Sequence, residues 1–310
     1  MHKRIANLNA RSELLRRLRQ FFYDREFVEV ETPLLASEVI PELHIEPCGV
    51  GGKWLQASPE LHMKRLLAEG MSAFFQITRS FRGGERGRLH HPEFTIVEWY
   101  RADDDMRQGM TLLDELVQTL LKTPPARCTT YSEAFQTHLG ICPHTASSAE
   151  LENCAVAEGI VNPQGLVRTN RDEWLNLLLA TRIEPLLGRQ EPEILCEYPA
   201  SQAALAKLVT RENGIRVAER FELYWRGIEL ANGYHELTAA AELRARLVQV
   251  NQARIAEGRP ELPLPESLLA AMEQGLPNSA GCALGFDRLV MLAVGAESLG
   301  EVIAFTESKE

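Results

Sequence analysis

Residues 92–102, PEFTIVEWYRA, constrain this chain more than any other stretch. In an extended strand side chains alternate, so Phe94, Ile96, Glu98 and Tyr100 share one face and Thr95, Val97 and Trp99 the other. Both faces are apolar, which predicts a central strand covered on each side. A carboxylate at Glu98 then needs a positive partner, because burying it alone costs several kcal/mol. Two partners fit: an arginine of the protein, or an ammonium group of a ligand. Just upstream, Arg79, Arg82, Arg86 and Arg88 precede the pair His90-His91. Their guanidiniums suit a carboxylate or phosphate held by paired hydrogen bonds, and a solvated loop would also carry them, Arg86 most readily. His90-His91 has no third ligand at metal spacing, which leaves phosphate contact or support of neighbouring groups.

Around this strand the pattern is mixed. Leu14, Leu15, Leu18, Phe21 and Phe22 recur at helical spacing, and FVEVETP then alternates Val28, Val30 and Thr32 against Glu29 and Glu31 as a half-buried strand ended by Pro33. KWLQAS reads as a strand. Ser58-Pro59-Glu60 reads as a helix start with a serine N-cap, and Gly70 closes that helix. Residues 105–195 are mainly helical, with breaks at TPPARCTTYS, CPHTASS and VNPQG. Strands return in RFELYWRGIELANGYHEL, a helix follows over 239–257, another over 266–274, and GCALGFDRLVML closes the chain as strand, turn and helix. Strands on either side of a helical segment, without regular alternation, predict an α+β fold with a mostly antiparallel sheet.

A second carboxylate group lies in the returning strands. With Arg226-Gly227 as a two-residue turn, Trp225 faces Ile228 and Tyr224 faces Glu229. Glu222, Tyr224, Glu229 and Ala231 then share a face, and the two acids are diagonal neighbours, ~7–8 Å apart. Such a pair holds a hard cation such as magnesium, or forms an exposed acidic hairpin. Asn232, Tyr234 and Glu236 follow at period two, with Gly233 allowing a bulge. In GCALGFDR a glycine at the strand-to-helix turn admits a ligand close to the backbone, and Arg288 falls in the first helical turn. No serine or cysteine nucleophile set and no Walker-type glycine loop is visible.

Net charge is −10, which leans away from a grip on a long polyanion. The six cysteines show no CxxC or metal spacing and read as reduced thiols. No apolar run approaches the ~18 residues of a membrane span. No apolar signal segment follows the N-terminus, so a cytoplasmic protein is expected.

In order along the chain, these pieces resemble the catalytic domain of class II aminoacyl-tRNA synthetases. FVEVETP is similar to their dimer-forming first motif, SFRGGERGRLHHPEFTIVEWY to the second, and GCALGFDRLVML to the third. Within the class the nearest likeness is to lysyl-tRNA synthetase, through SPELHMKRL, HHPEFTIVEWY and GIELANGYHEL. The first-motif helix begins by about residue 11, without the anticodon-reading OB-fold domain of those enzymes. That implies one catalytic domain over 1–310, in which 105–195 is a helical insertion or layer. It also implies the branch of synthetase paralogues that attach (R)-β-lysine to a lysine of translation elongation factor P.

What the resemblance implies for the residues follows motif by motif. Arg82 would grip the ATP α-phosphate and the substrate carboxylate. Phe94 and Arg288 would sandwich adenine, His90 would support the triphosphate, and Gly83, Gly84, Glu85, His91, Leu230 and Gly285 would complete the nucleotide site. Glu222 and Glu229 would hold Mg2+. Ser58, Pro59, Glu60, Glu98, Tyr100, Asn232, Tyr234, Glu236 and Ala283 would form a pocket for lysine or β-lysine. The implied partners are elongation factor P and a second copy of the chain, without membrane or tRNA. Departures fall on the nucleotide side: the usual Arg-Asn-Glu is Arg82-Gly83-Gly84, with Glu85 one place late, and the usual asparagine before Pro92 is His91. Alanine at Ala283, where lysyl-tRNA synthetases generally have glycine, would reshape the amino-acid pocket. Two other readings remain: charging of a tRNA without reading its anticodon, and a non-catalytic regulator.

Overall fold

The computed structural model describes residues 2–160, 167 and 169–306, so the expected VNPQG break lies outside the described residues. The chain forms two compact units, Met1–Lys122 with His235–Glu310, and Thr123–Tyr234.

The first unit opens with α1 (His2–Tyr23), β1 (Val28–Glu29), β2 (Leu35–Ala36), β3 (Cys48–Val50), β4 (Lys53–Leu55), α2 (Glu60–Ala68), β5 (Ala73–Phe81), β6 (Glu93–Ala102) and α3 (Met106–Leu121). The second unit contains β7 (Arg127–Thr130), α4 (Tyr131–Leu139), α5 (Ser148–Ala157), α6 (Arg171–Leu178), β8 (Glu193–Pro199), β9 (Leu208–Thr210), β10 (Arg216–Trp225) and β11 (Ile228–His235). The chain then returns to the first unit through α7 (Ala240–Ala256), α8 (Glu266–Gly275), β12 (Ser279–Gly285) and α9 (Phe286–Ala293).

In the first unit the main strands run β1-β5-β6-β12, with β6 antiparallel to both neighbours. The central placement expected for PEFTIVEWYRA is therefore found, and Ile96 through Tyr100 are buried. Apolar spacing on α1 explains its seat. Leu14, Leu18, Phe21 and Phe22 are buried, and Phe22 stacks on Phe75 at 4.4 Å and packs against Trp99 at 5.4 Å. FVEVETP is not the strand its alternation predicts. Only Val28 and Glu29 pair, parallel to β5, and Val28 is 52% exposed. Arg19 and Tyr23 hold the Glu29 carboxylate instead.

In the second unit the order is β11-β10-β8-β7, with β9 on β10. TPPARCTTYS, expected as a break, supplies β7: Thr130 then caps α4 with Glu133 reciprocating, so strand, cap and helix follow without a linker. Arg226 and Gly227 both have positive φ, the geometry of a tight hairpin turn, and the expected pairs Trp225↔Ile228 and Tyr224↔Glu229 form. The irregularity falls between Leu223 and Tyr224 on β10, opposite Leu230, not at Gly233. Past it Glu222 pairs with Asn232 and Leu223 with Ala231. Asn232, not Ala231, therefore shares the carboxylate face.

Candidate active site

In the first unit an acidic cluster forms where α2, β6 and Glu236, just ahead of α7, meet β12. Glu98 is 2% exposed. Its Oε2 accepts from the Ser58 hydroxyl at 2.5 Å and its Oε1 from the Tyr100 hydroxyl at 2.6 Å. No arginine answers it among the described residues, so the salt-bridge alternative fails. Burial first, then the charge of Glu60, pushes its pKa up to about 8. Ser58 also accepts from the Glu60 amide at 3.2 Å, and Pro59 rather than Ser58 is the capping residue of α2. Glu60 and Glu236 are both met by Lys64, each at 2.6 Å. Glu236 is 1% exposed, and burial pushes its pKa up to about 7 against the pull of Lys64. The lysine itself is 1% exposed. Burial acts against its charge, but Glu236 and Glu60 outweigh that and hold its pKa above the ordinary range.

The wall beside these groups is β12. Ala283 pairs with Glu98 and Gly281 with Tyr100. A Cβ at Gly281 would overlap the Tyr100 ring and the Glu236 carboxylate, so only glycine lets these two approach the strand. Lys64 escaped the sequence reading although it lies four residues after Glu60 in SPELHMKRL. Its i, i+4 spacing on a helix was the available signal.

β5 ends at Phe81 and the loop to β6 carries Arg82 to Pro92. The Arg82 amide donates to the Pro92 carbonyl at 2.9 Å and the Gly83 amide to the Glu46 carbonyl at 2.7 Å. The Arg82 guanidinium lies 5.0 Å from the centroid of the Phe94 ring and 3.8 Å from the Glu85 carboxylate. Gly84 has φ +76 with open space around it. Arg288, near the start of α9 after Gly285, reaches the Leu89 carbonyl at 3.2 Å and His90 Nε2 at 2.8 Å. Desolvation, then the Arg288 charge, lowers the pKa of His90, so a neutral imidazole accepts from the guanidinium. His91 turns away to the Glu93 carbonyl at 2.6 Å. Asp287, 2% exposed, accepts from the Thr95 amide at 2.8 Å and pairs with Arg11 at 2.6 Å. The neighbours of Phe94 and Arg288 in the chain, Thr95 and Asp287, are thus fastened to each other, a tie that no local pattern predicts.

In the second unit Glu222 is 6% exposed and is held by three donors. Tyr198 and Tyr224 hydroxyls donate to its Oε2 and the Arg220 guanidinium to its Oε1, all at 2.5 Å. Arg220 also donates to Asn232 Oδ1 at 3.2 Å, and Asn232 donates to the Tyr234 hydroxyl at 2.8 Å. A carboxylate offers about four lone-pair sites, so Glu222 keeps one for a cation. Glu222 and Glu229 are hard oxygen donors of the kind magnesium takes, and phosphate oxygens would have to complete the shell. Among the described residues no three His, Cys, Asp or Glu gather as a metal site. No helix among them is long and apolar enough to cross a membrane.

Comparison with known proteins agrees with this geometry. The family profile described as tRNA synthetases class II (D, K and N) matches residues 2–309. The elongation factor P–(R)-β-lysine ligase of Klebsiella pneumoniae subsp. pneumoniae is 46% identical over 312 aligned residues, covering 97% of this chain and 95% of the relative. The protein of the same name from Salmonella gallinarum shows the same identity and coverage. The chain belongs to the class II tRNA synthetase family.

Proposed function

We propose that this protein is an ATP-dependent ligase that activates (R)-β-lysine, or lysine, as an adenylate and transfers it to a lysine side chain of elongation factor P. The observation that carries the reading is the buried cluster of Glu60, Glu98 and Glu236, in a family member 46% identical to ligases of that name. Glu98 holds two hydroxyl donors and no cation among the described residues, so an ammonium group of the substrate supplies the partner that its burial demands.

In the first step a substrate carboxylate oxygen attacks the α-phosphorus of ATP and pyrophosphate leaves. In the second the acceptor amine attacks the carbonyl carbon and AMP leaves. Arg82 would neutralise charge at the α-phosphate, while Phe94 and Arg288 would hold adenine. Positioning and charge neutralisation supply the rate, without a covalent enzyme intermediate. Glu222 and Glu229 would hold Mg2+, which when bound offsets charge on the phosphates. Arg82, Glu229 and Arg288 are the residues that this reading places at the reacting groups. The exposed Val28 of the short β1 supports a homodimer through the first motif, and the acidic balance supports a cytoplasmic enzyme that does not grip tRNA.

Mass spectrometry of elongation factor P incubated with enzyme, ATP and β-lysine tests the function. A mass increase on one lysine is expected; labelled tRNA beside unmodified protein would replace this reading with tRNA charging. ATP–pyrophosphate exchange lost in Glu229→Gln supports the metal assignment, and exchange at the wild-type rate removes it.

A further inference from the structure

Lys64 is the one group in the amino-acid cluster that the proposed function does not use. Its ammonium is buried and lies 2.6 Å from both Glu60 and Glu236, on α2 and just past β11. Glu98 on β6 is left to hydroxyls. Glu236 Oε1 has no hydrogen-bond donor among the described residues although the side chain is 1% exposed, so it is open to a ligand. The other titratable groups facing the cluster are Tyr100 on β6, Cys282 on β12 and His235 on β11. Burial and the carboxylates keep the first two neutral, and His235 Nε2 lies 2.6 Å from Asn278 Oδ1. Glu60, Glu98 and Glu236, ionised, against one ammonium leave two negative charges.

Resting on the amino-acid pocket proposed above, we infer that Lys64 is a specificity-determining residue. It is the pocket's resident cation: 2.6 Å from Glu60 and Glu236, it offsets their charge in a desolvated site and sets the remaining charge to match a substrate with two ammonium groups. Without it, burial would favour the protonated form of Glu236 still further, and a neutral carboxyl is a poor partner for an ammonium ion. The substrate would then have to expel the additional proton to bind.

Calorimetry of lysine binding in two buffers of different ionisation heat reads both affinity and protons released. At pH 7, Lys64→Met should weaken lysine binding at least about tenfold and release about one more proton per lysine than wild type. The loss should shrink as pH rises. Adding Glu60→Gln, which removes one carboxylate with the cation, should return the proton count to the wild-type value. An unchanged affinity and proton count in Lys64→Met overturns the inference. So does weakened binding with an unchanged proton count, which marks a packing role. Should Lys64→Met not fold, the double variant is compared with Glu60→Gln alone, which carries one negative charge fewer. The double variant is expected to bind lysine more tightly, and equal or weaker binding overturns the inference. Wild-type protein that binds neither lysine nor β-lysine would instead remove the proposed pocket itself.

Discussion

The buried acidic cluster and the loop between β5 and β6 both lie in the first unit and both are dense in charge, yet they are built in opposite ways. In the cluster Lys64 and Glu236 are almost fully buried and sit 2.6 Å apart. On the loop side Arg82 and Glu85 are 3.8 Å apart, and Arg79 and Glu93, about half exposed, are 3.6 Å apart. Solvent screens the second set and not the first. Removing a charge from the cluster therefore strands its partner in a dry site, while removing one from the loop mostly exchanges protein for water. The departures from the family pattern, Gly84 and His91, fall on the screened side.

The largest effect that sharpens this contrast is expected from Glu98→Gln. Loss of a charged partner for the substrate ammonium is worth about 3 kcal/mol, or roughly 100-fold in the Michaelis constant for the amino acid. The constant for ATP should change less than about twofold. The free protein should be no less stable, because the glutamine can still accept a hydroxyl and needs no cation. Steady-state kinetics with thermal unfolding checks all three, and an equal loss toward both substrates would break the division between the regions.

The next effect is on stability against pH. Glu98 and Glu236 have folded-state pKa values pushed up to about 8 and about 7. Below the ordinary carboxylate range, ~4.3, they are protonated in both states and contribute no pH dependence. Above it the unfolded chain gives up these protons while the folded cluster keeps them, so stability falls as pH rises toward 8. Denaturant unfolding of the wild type from pH 5 to 8 should show this decline, and Glu98→Gln should flatten it. A wild-type profile that rises over that range would mean that the cluster is ionised and internally compensated without a substrate.

A smaller effect comes from the loop. His90 accepts from Arg288 only while its imidazole is neutral. Because His90 is held below the ordinary histidine range, acidification past that range should charge it against the guanidinium, and the Michaelis constant for ATP should rise. His90→Ala should raise that constant roughly threefold to tenfold at neutral pH, the worth of one hydrogen bond to a charged group. His90→Gln keeps an acceptor and should remove the pH dependence. If it titrates like wild type, another group is responsible.

How much of this was legible in the sequence follows the same physics. Period-two alternation placed β6 correctly, because a strand covered on both faces has no other way to be apolar. The Arg226-Gly227 turn set the Tyr224↔Glu229 register because two positive φ angles leave little choice. Four things were not legible. The irregularity opposite Leu230 depends on how β10 is paired on both sides, so glycine at 233 pointed to the wrong place. FVEVETP alternates as a strand, but Arg19 and Tyr23 capture Glu29 and only Val28 and Glu29 pair. Lys64 drew no reading at all, since its spacing from Glu60 does not tell a buried ion pair from an exposed one. Nothing local marked the boundaries at Lys122 and Tyr234 either.

The smallest effects test the glycine pair of the loop. Gly84 stands where the family usually has glutamate, and its φ of +76 is left-handed. A side chain there would meet nothing within reach, but the backbone itself would be strained by about 1–2 kcal/mol. Gly84→Glu is therefore expected to cost stability without improving ATP binding, whereas asparagine, which tolerates left-handed backbone, should be accepted more readily. Glu85 leans toward Arg82 at 3.8 Å, with both side chains partly in solvent. An exposed pair of that kind contributes about 0–1 kcal/mol, so Glu85→Ala should change the Michaelis constant for ATP less than about threefold. Freed from Glu85, Arg82 would become more available to an α-phosphate, and a slight fall in that constant is the expected sign. A tenfold rise would show that Glu85 has taken over the work of the missing glutamate. The loop would then share the cluster's dependence on a single charge, and the contrast between the two regions would fail at its centre.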